Sequence, residues 1–175
     1  MIIVCTLCMG GTAFAAEPEK DNVEATIDDI IAVTEQLVGF ENEIEMLAQL
    51  IHAEASGIES KQEQAAVAWC VLNRFDAGYD DTISEVIKAR HQFAYRSSSP
   101  VLEDLRNLAQ DVVTRWLLEK RGIADVGRVL PADYLYFAGR NGHNYFRTAY
   151  QSRDYWDWSM PDPYVSETAA GNVEN

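Results

Sequence analysis

The run Ala65-Ala66-Val67-Ala68-Trp69-Cys70-Val71-Leu72 constrains this chain more than any other stretch. It lies in a segment from about Lys61 to Ala77 that contains neither glycine nor proline, which predicts a helix apolar almost all round. Such a helix belongs in the middle of a domain, and its alanines let neighbouring helices approach closely. Asn73-Arg74 then returns it to polar surroundings. The segment before it predicts another helix, from about Glu41 to Ser56. There Ile44, Leu47, Ala48, Ile51 and Ala55 form one apolar stripe, and Gly57 suits a C-terminal stop.

Glu54 borders that stripe. At about 100° per residue it sits beside Leu47 and Leu50 rather than opposite the apolar face. A carboxyl group at the rim of a hydrophobic core is poorly solvated, which disfavours its charged form. A general acid needs that property, so Glu54 is the first candidate for chemistry. The bland alternative is a solvated helix residue. His52, on the other border, reads as a packing or supporting residue.

The length of 175 residues and a hydrophobic content of 47% allow one domain with a real core. The net charge of −14 argues against a nucleic-acid partner, which requires a basic face. Ile2 to Ala16 carries no charge and ends in Ala13-Phe14-Ala15, a small-x-small pattern. Residues 1–16 therefore read as a signal peptide, although the basic n-region is missing. An uncleaved anchor is the alternative, but the run is shorter than the roughly 20 apolar residues a span needs. After cleavage only Cys70 remains, so no internal disulfide forms. No Cys/His cluster for zinc remains either, and no metal is expected.

Residues 17–40 form an acidic lead-in. Ile27, Ile30, Ile31, Val33, Leu37 and Val38 recur at helical spacing there, predicting either a packed extra helix or a linker. Thr82, with Glu85 in the capping-box position, predicts a short helix over Ile83–Ala89. A longer one is predicted over Val101–Arg121. Tyr134–Phe137 and Asn144–Phe146 are strand-like and flank Gly139-Arg140-Asn141-Gly142, predicting a hairpin with a turn longer than the tightest kind. The fold class is thus mainly α with a small β element. The catalytic domain is expected over residues 41–165, with a frayed tail over 166–175.

Several chemistries lack their residues. His52-x-Glu54 has no matching Pro-Cys-x-x-Cys and does not complete His-Glu-x-x-His. No Gly-x-Ser-x-Gly elbow and no phosphate-binding Gly-x-x-x-x-Gly-Lys loop is present. Gln92, Phe93, Tyr95, Tyr136, Phe137, His143, Asn144 and Tyr145 form an aromatic-polar set. Singly, each reads as packing; together they suit a saccharide groove, with rings for stacking and amides or imidazole for hydroxyls.

The run Leu47-Ala48-x-x-Ile51-x-Ala53-Glu54-Ala55-x-Gly57, followed by Glu63-Gln64-Ala65-Ala66-Val67-Ala68-Trp69-Cys70-Val71-Leu72-Asn73-Arg74 and then Gln92-Phe93, resembles the SleB/CwlJ-type cell-wall hydrolases. The likeness spans roughly Ile44 to Tyr164. It implies a lysozyme-like fold, action on peptidoglycan, Glu54 in the catalytic acid position, and Gln64 beside the substrate groove. One departure stands out: Ile58 occupies a position that is often acidic, which leaves any second carboxylate unassigned among Glu59, Glu63, Asp76, Asp80 and Asp81.

The resulting expectation is a secreted monomer acting in the bacterial cell wall without a cofactor. It would cleave the β-1,4 bond between N-acetylmuramic acid and N-acetylglucosamine through Glu54, more as a lytic transglycosylase than as a hydrolase. After signal cleavage no stable membrane insertion is expected. A wall-binding module or inactive homologue using the same groove is the alternative. A helical interaction protein with the aromatics as core is a third.

Overall fold

The computed structural model describes residues 24–165. The signal segment expected over residues 1–16 and the tail expected over 166–175 lie outside the described residues. Among the described residues the chain is mainly helical with one small two-stranded antiparallel sheet, as its periodicity predicts.

The first helix, α1 (Ile27–Leu37), starts at Thr26. The Thr26 hydroxyl accepts the Asp29 N–H, and the Asp29 carboxylate reaches back to the Thr26 N–H at 3.1 Å, closing a full capping box. A single 3-10 turn (Val38–Phe40) leads into α2 (Glu41–Ala55). Then come α3 (Lys61–Asp76), α4 (Ile83–Lys88) and α5 (Glu103–Lys120). The lead-in helix packs on the domain: Val33 is buried, and Asp29 pairs with Arg121 just past α5 at 2.9 Å.

Helix α3 sits where its composition puts it. Every residue from Ala65 to Arg74 is buried, and α2, α4 and α5 pack around it. The three alanines along it, Ala65, Ala66 and Ala68, leave room for close helix approach, while Trp69 fills the space between. The short α4 begins as its cap predicts, with Thr82 accepting the Glu85 N–H at 3.1 Å.

The strands β1 (Tyr136–Arg140) and β2 (His143–Arg147) pair from Tyr136↔Arg147 to Arg140↔His143. This corrects the expected turn. Gly139 and Arg140 belong to the strand, leaving only Asn141-Gly142 as a two-residue connection. Both connecting residues have positive φ, at 54° and 78°. Asn-Gly is the pair that adopts this geometry most readily, and its twist matches the strands. The strand start also moves inward. Tyr134 and Leu135 precede β1, although the Leu135 N–H still reaches the Arg147 carbonyl at 3.2 Å. Phe137 and Phe146 face the core from the hairpin with ring centroids 5.1 Å apart, and Trp158 stacks edge-on behind Phe146. No helix among the described residues is long and apolar enough to cross a membrane.

The α1 cap carries a pH signature. Hydrogen bonds from Thr26, and then from Arg121, hold the Asp29 carboxyl at about 2, below its ordinary 3.8. Because the folded-state value lies below the unfolded one, this contribution is present above about pH 4 and is lost as pH falls through about 2. Amide exchange along α1 should rise across that window, and Asp29→Asn should abolish the rise. Identical pH dependence in both proteins would contradict the assignment.

Candidate active site

Glu54 lies in the last turn of α2, half-buried, where the helix ends without a glycine in the left-handed region. One carboxylate oxygen, Oε1, accepts the backbone N–H of Ala94 at 2.6 Å. The other makes no hydrogen bond among the described residues. Two hollows flank this side chain. One, about 370 Å³, opens between the end of α2 and the hairpin turn, and includes Glu54, Gly57, Arg140, Asn141 and His143. The other, about 280 Å³, lies between α2 and the segment 94–99, lined by His52, Ala94, Arg96 and Ser99. They share Ala53 and Ser56, so they meet across the last turn of the helix. Among the described residues Glu54 is the only acid lining either.

The hairpin is held over the end of α2 by buried polar groups. The last carbonyls of a helix lack intrahelical partners. The Glu54 carbonyl receives the Asn144 side-chain amide at 3.2 Å, so the hairpin itself caps α2. Asn144 is 3% exposed, and its backbone N–H donates to the Glu63 carboxylate. The second oxygen of Glu63 lies 3.1 Å from the His143 ring nitrogen Nδ1. Gly139, opposite Asn144, has no room to spare: a Cβ there would stand 3.3 Å from the Asn144 side-chain oxygen.

The far end of the hairpin is tied to the other end of α3. Asn73 donates to the carbonyls of Pro131 (2.8 Å) and Tyr134 (3.0 Å), and accepts from Arg128 at 2.7 Å. Arg74, 3% exposed, donates from Nε to the Leu135 carbonyl and from Nη1 to Gln92 Oε1 at 3.0 Å. Its guanidinium carbon sits 4.5 Å from the centre of the Phe93 ring and 5.2 Å from that of Tyr136.

The residues expected around the groove separate into two groups. Phe93, Tyr95, Tyr136 and Tyr145 are half-buried, whereas Gln92 and His143 are exposed. Phe93 packs on Phe137 at 6.0 Å, the Tyr136 hydroxyl meets that of Tyr79 at 2.6 Å, and Tyr145 packs edge-on against Tyr155 at 5.5 Å. The side-chain amides of Gln64 and Asn144 are both taken by backbone carbonyls. The Gln64 amide donates to the Ile58 carbonyl at 2.6 Å, fixing the loop after α2, and Asn144 caps α2. Asn144 therefore lines the hollow beside Glu54 and caps α2 as well, its side-chain amide taken by the Glu54 carbonyl.

Two contributors have little signature in the sequence. Gln49 accepts from the Tyr95 hydroxyl at 3.0 Å and donates to the carbonyls of Ser97 and Ser99, anchoring the segment that carries Ala94. Glu63 stands three residues after Ser60, a spacing that reads as a helix cap. Ser60 does accept the Glu63 N–H, but the Glu63 carboxylate goes to the hairpin instead of returning to Ser60. The remaining acids considered for a second catalytic role are dispersed. Asp76 pairs with Lys120 at 2.7 Å and accepts from Trp116, Glu59 is exposed, and Asp80 and Asp81 line other cavities. Cys70 is fully buried, and burial pushes its thiol up to about 12, which removes it as a nucleophile at neutral pH. A further cavity, about 650 Å³, lies along α5 near Arg115 and Val126, with no residue in common with either hollow beside Glu54.

Fold and site together define a small helical domain with a carboxylate at a helix end, between the turn of a hairpin and the segment 94–99. The chain belongs to the Cell Wall Hydrolase family, which matches residues 58–165. Its class is accordingly that of a peptidoglycan-acting enzyme that works outside the cytoplasm. The match begins after Glu54, so membership rests on α3, the segment 91–100 and the hairpin. Comparisons with curated proteins and with solved structures return no match.

Glu63→Ala leaves the buried Asn144 N–H without its acceptor. It should lower unfolding stability by about 1–3 kcal/mol. Glu59→Ala, on an exposed loop position, should stay within about 0.5 kcal/mol. Urea unfolding measures both, and equal midpoints would refute the role given to Glu63.

Proposed function

We propose that the protein cleaves the β-1,4 bond between N-acetylmuramic acid and N-acetylglucosamine, with Glu54 as the acid. The observation carrying this reading is the Glu54 carboxylate itself: one oxygen held by the Ala94 N–H, the other without a protein partner, and hollows on both sides. A glycan strand lying across the end of α2 presents its glycosidic oxygen to the unoccupied carboxyl oxygen. Protonation there lets the bond break through an oxocarbenium-like state. Phe93, Tyr95, Tyr136 and Tyr145 supply ring faces, and Gln92 and His143 supply hydrogen bonds, along the strand. Gln64 and Asn144 hold the backbone on which Glu54 sits. A lysozyme-like arrangement, with an acid at a helix end opposite a hairpin, is consistent with this use.

The ionised Glu54 then serves as base. Two-carboxylate hydrolysis requires a second acid within roughly 5–9.5 Å. Among the described residues Glu54 is the only acid lining its groove, and Glu63 is committed to the hairpin. This favours a single-glutamate lytic transglycosylase, in which the base activates the muramic acid C6 hydroxyl and a 1,6-anhydro sugar results. We place the catalytic unit over residues 41–165, exported through the segment 1–16 and working as a monomer.

Glu54→Gln keeps side-chain volume and removes the titrating proton. Release of soluble muropeptides from purified sacculi should fall by about 10²- to 10⁴-fold, with folding intact by circular dichroism. Undiminished release would exclude Glu54. Saturable binding to sacculi with no release by the wild-type protein would instead mark a binding module. Mass spectrometry of the products distinguishes the two reactions: anhydro-muramic ends are expected, and reducing ends alone would make the enzyme a hydrolase.

A further inference from the structure

Next to the groove, a separate cavity of about 550 Å³ opens between the C-terminal end of α3, residues 89–92 and the open end of the hairpin. We propose that it binds the carboxylates of the peptide stems carried by peptidoglycan, so that the enzyme reads the peptide as well as the sugar. This rests on the peptidoglycan-cleaving reading above.

The cavity concentrates positive charge in a chain whose net charge is −14. Arg74 and Arg147 both line it, and His91 stands at its edge. Neither arginine makes an ion pair among the described residues, in contrast with the part-buried arginines elsewhere. Arg115 holds Asp111, and Arg128 holds Glu119, both at 2.7 Å. A buried guanidinium without a counter-charge is expensive to keep. The rings of Phe93, Tyr136 and Tyr79, 4.5, 5.2 and 5.7 Å from the Arg74 guanidinium carbon, offset part of that cost. They do not neutralise the charge. Arg147 leaves its Nε buried with no acceptor among the described residues. Unpaired buried donors of this kind mark a place for a missing partner. Asp80 is the one acid in the lining, and it pairs with neither arginine.

A guanidinium fork is matched by a planar carboxylate. Where a stem is attached, the lactyl carboxyl of muramic acid is tied up as an amide, so the carboxylates of that unit lie on the peptide stem. Gln92 lines this cavity, and Ala94 holds Glu54. Two residues of chain span at most about 7 Å. A stem on the sugar next to the cleaved bond therefore reaches the cavity.

The test uses the full chain with Glu54→Gln to prevent turnover. It is titrated calorimetrically with a soluble disaccharide-peptide, with the same disaccharide lacking its peptide and having its lactyl carboxyl capped as a simple amide, and with a glycerol-phosphate oligomer. The disaccharide-peptide should bind at least tenfold more tightly than the bare disaccharide. Adding Arg147→Gln should remove most of that preference, and Arg147→Lys should restore part of it. Tyr150→Ala, at a cavity residue that is 69% exposed, reads the same preference if the Arg147 variants do not fold. Equal binding of the two disaccharides, or a preference unchanged by these substitutions, overturns the proposal. Tighter binding of the phosphate oligomer also overturns it and assigns the cavity to phosphodiester polymers. Wild-type turnover separates this from the parent reading. Cleavage of both glycans without a binding preference removes the cavity assignment alone; a binding preference with no cleavage of either removes the enzymatic reading alone.

Discussion

Helix α3 grips the hairpin at both ends, and the candidate site depends on that grip. From Glu63 to Arg74 the helix advances eleven residues, about 16 Å. Along β2, from Asn144 to the level of Leu135, the strand advances four residues, about 14 Å. The two lengths match closely enough for a side chain at each end of α3 to reach the hairpin backbone. Glu63 takes the Asn144 N–H near the turn, and Arg74 takes the Leu135 carbonyl at the open end. A two-stranded hairpin is marginal by itself. Here it borrows the rigidity of the most buried helix in the domain.

That arrangement sets the position of Glu54. The hairpin is fixed to α3, and Asn144 on the hairpin is fixed to the Glu54 carbonyl. The far side of the carboxylate is fixed through Ala94, whose segment hangs from Gln49 one turn earlier on α2. The backbone of Glu54 and one of its oxygens are thus set by groups from three elements. A side chain held in this way meets the requirement for a positioned acid, because little rearrangement remains at the moment of proton transfer.

Much of the architecture was legible in the sequence because it follows from periodicity. The apolar run from Ala65 to Leu72 had to be central, and α3 is central. The Thr82 cap and the stripe on α2 marked their helices within a residue or two. The hairpin was visible from its aromatic strands, but its turn was misjudged. Gly139 and Arg140 look like turn residues, and only cross-strand pairing shows that they continue the ladder. Glu63 was harder still: Ser60-x-x-Glu63 fits a local cap so well that its long-range role has no separate signature.

The sequence by itself determined which segments are helical, which helix is innermost, and that Glu54 borders an apolar face, since all three depend on spacing along one chain. It also carried the likeness to the family. Only the tertiary structure decided what each polar side chain is for. Asn144 and Gln64 look like groove residues in a string of letters, and the structure shows that their amides also hold backbone in place, while Arg147 has a buried donor with no partner among the described residues. The reason is physical: a polar group acquires its role from the partner it meets, and those partners lie tens of residues away, from Gln49 to Ser99 and from Glu63 to Asn144.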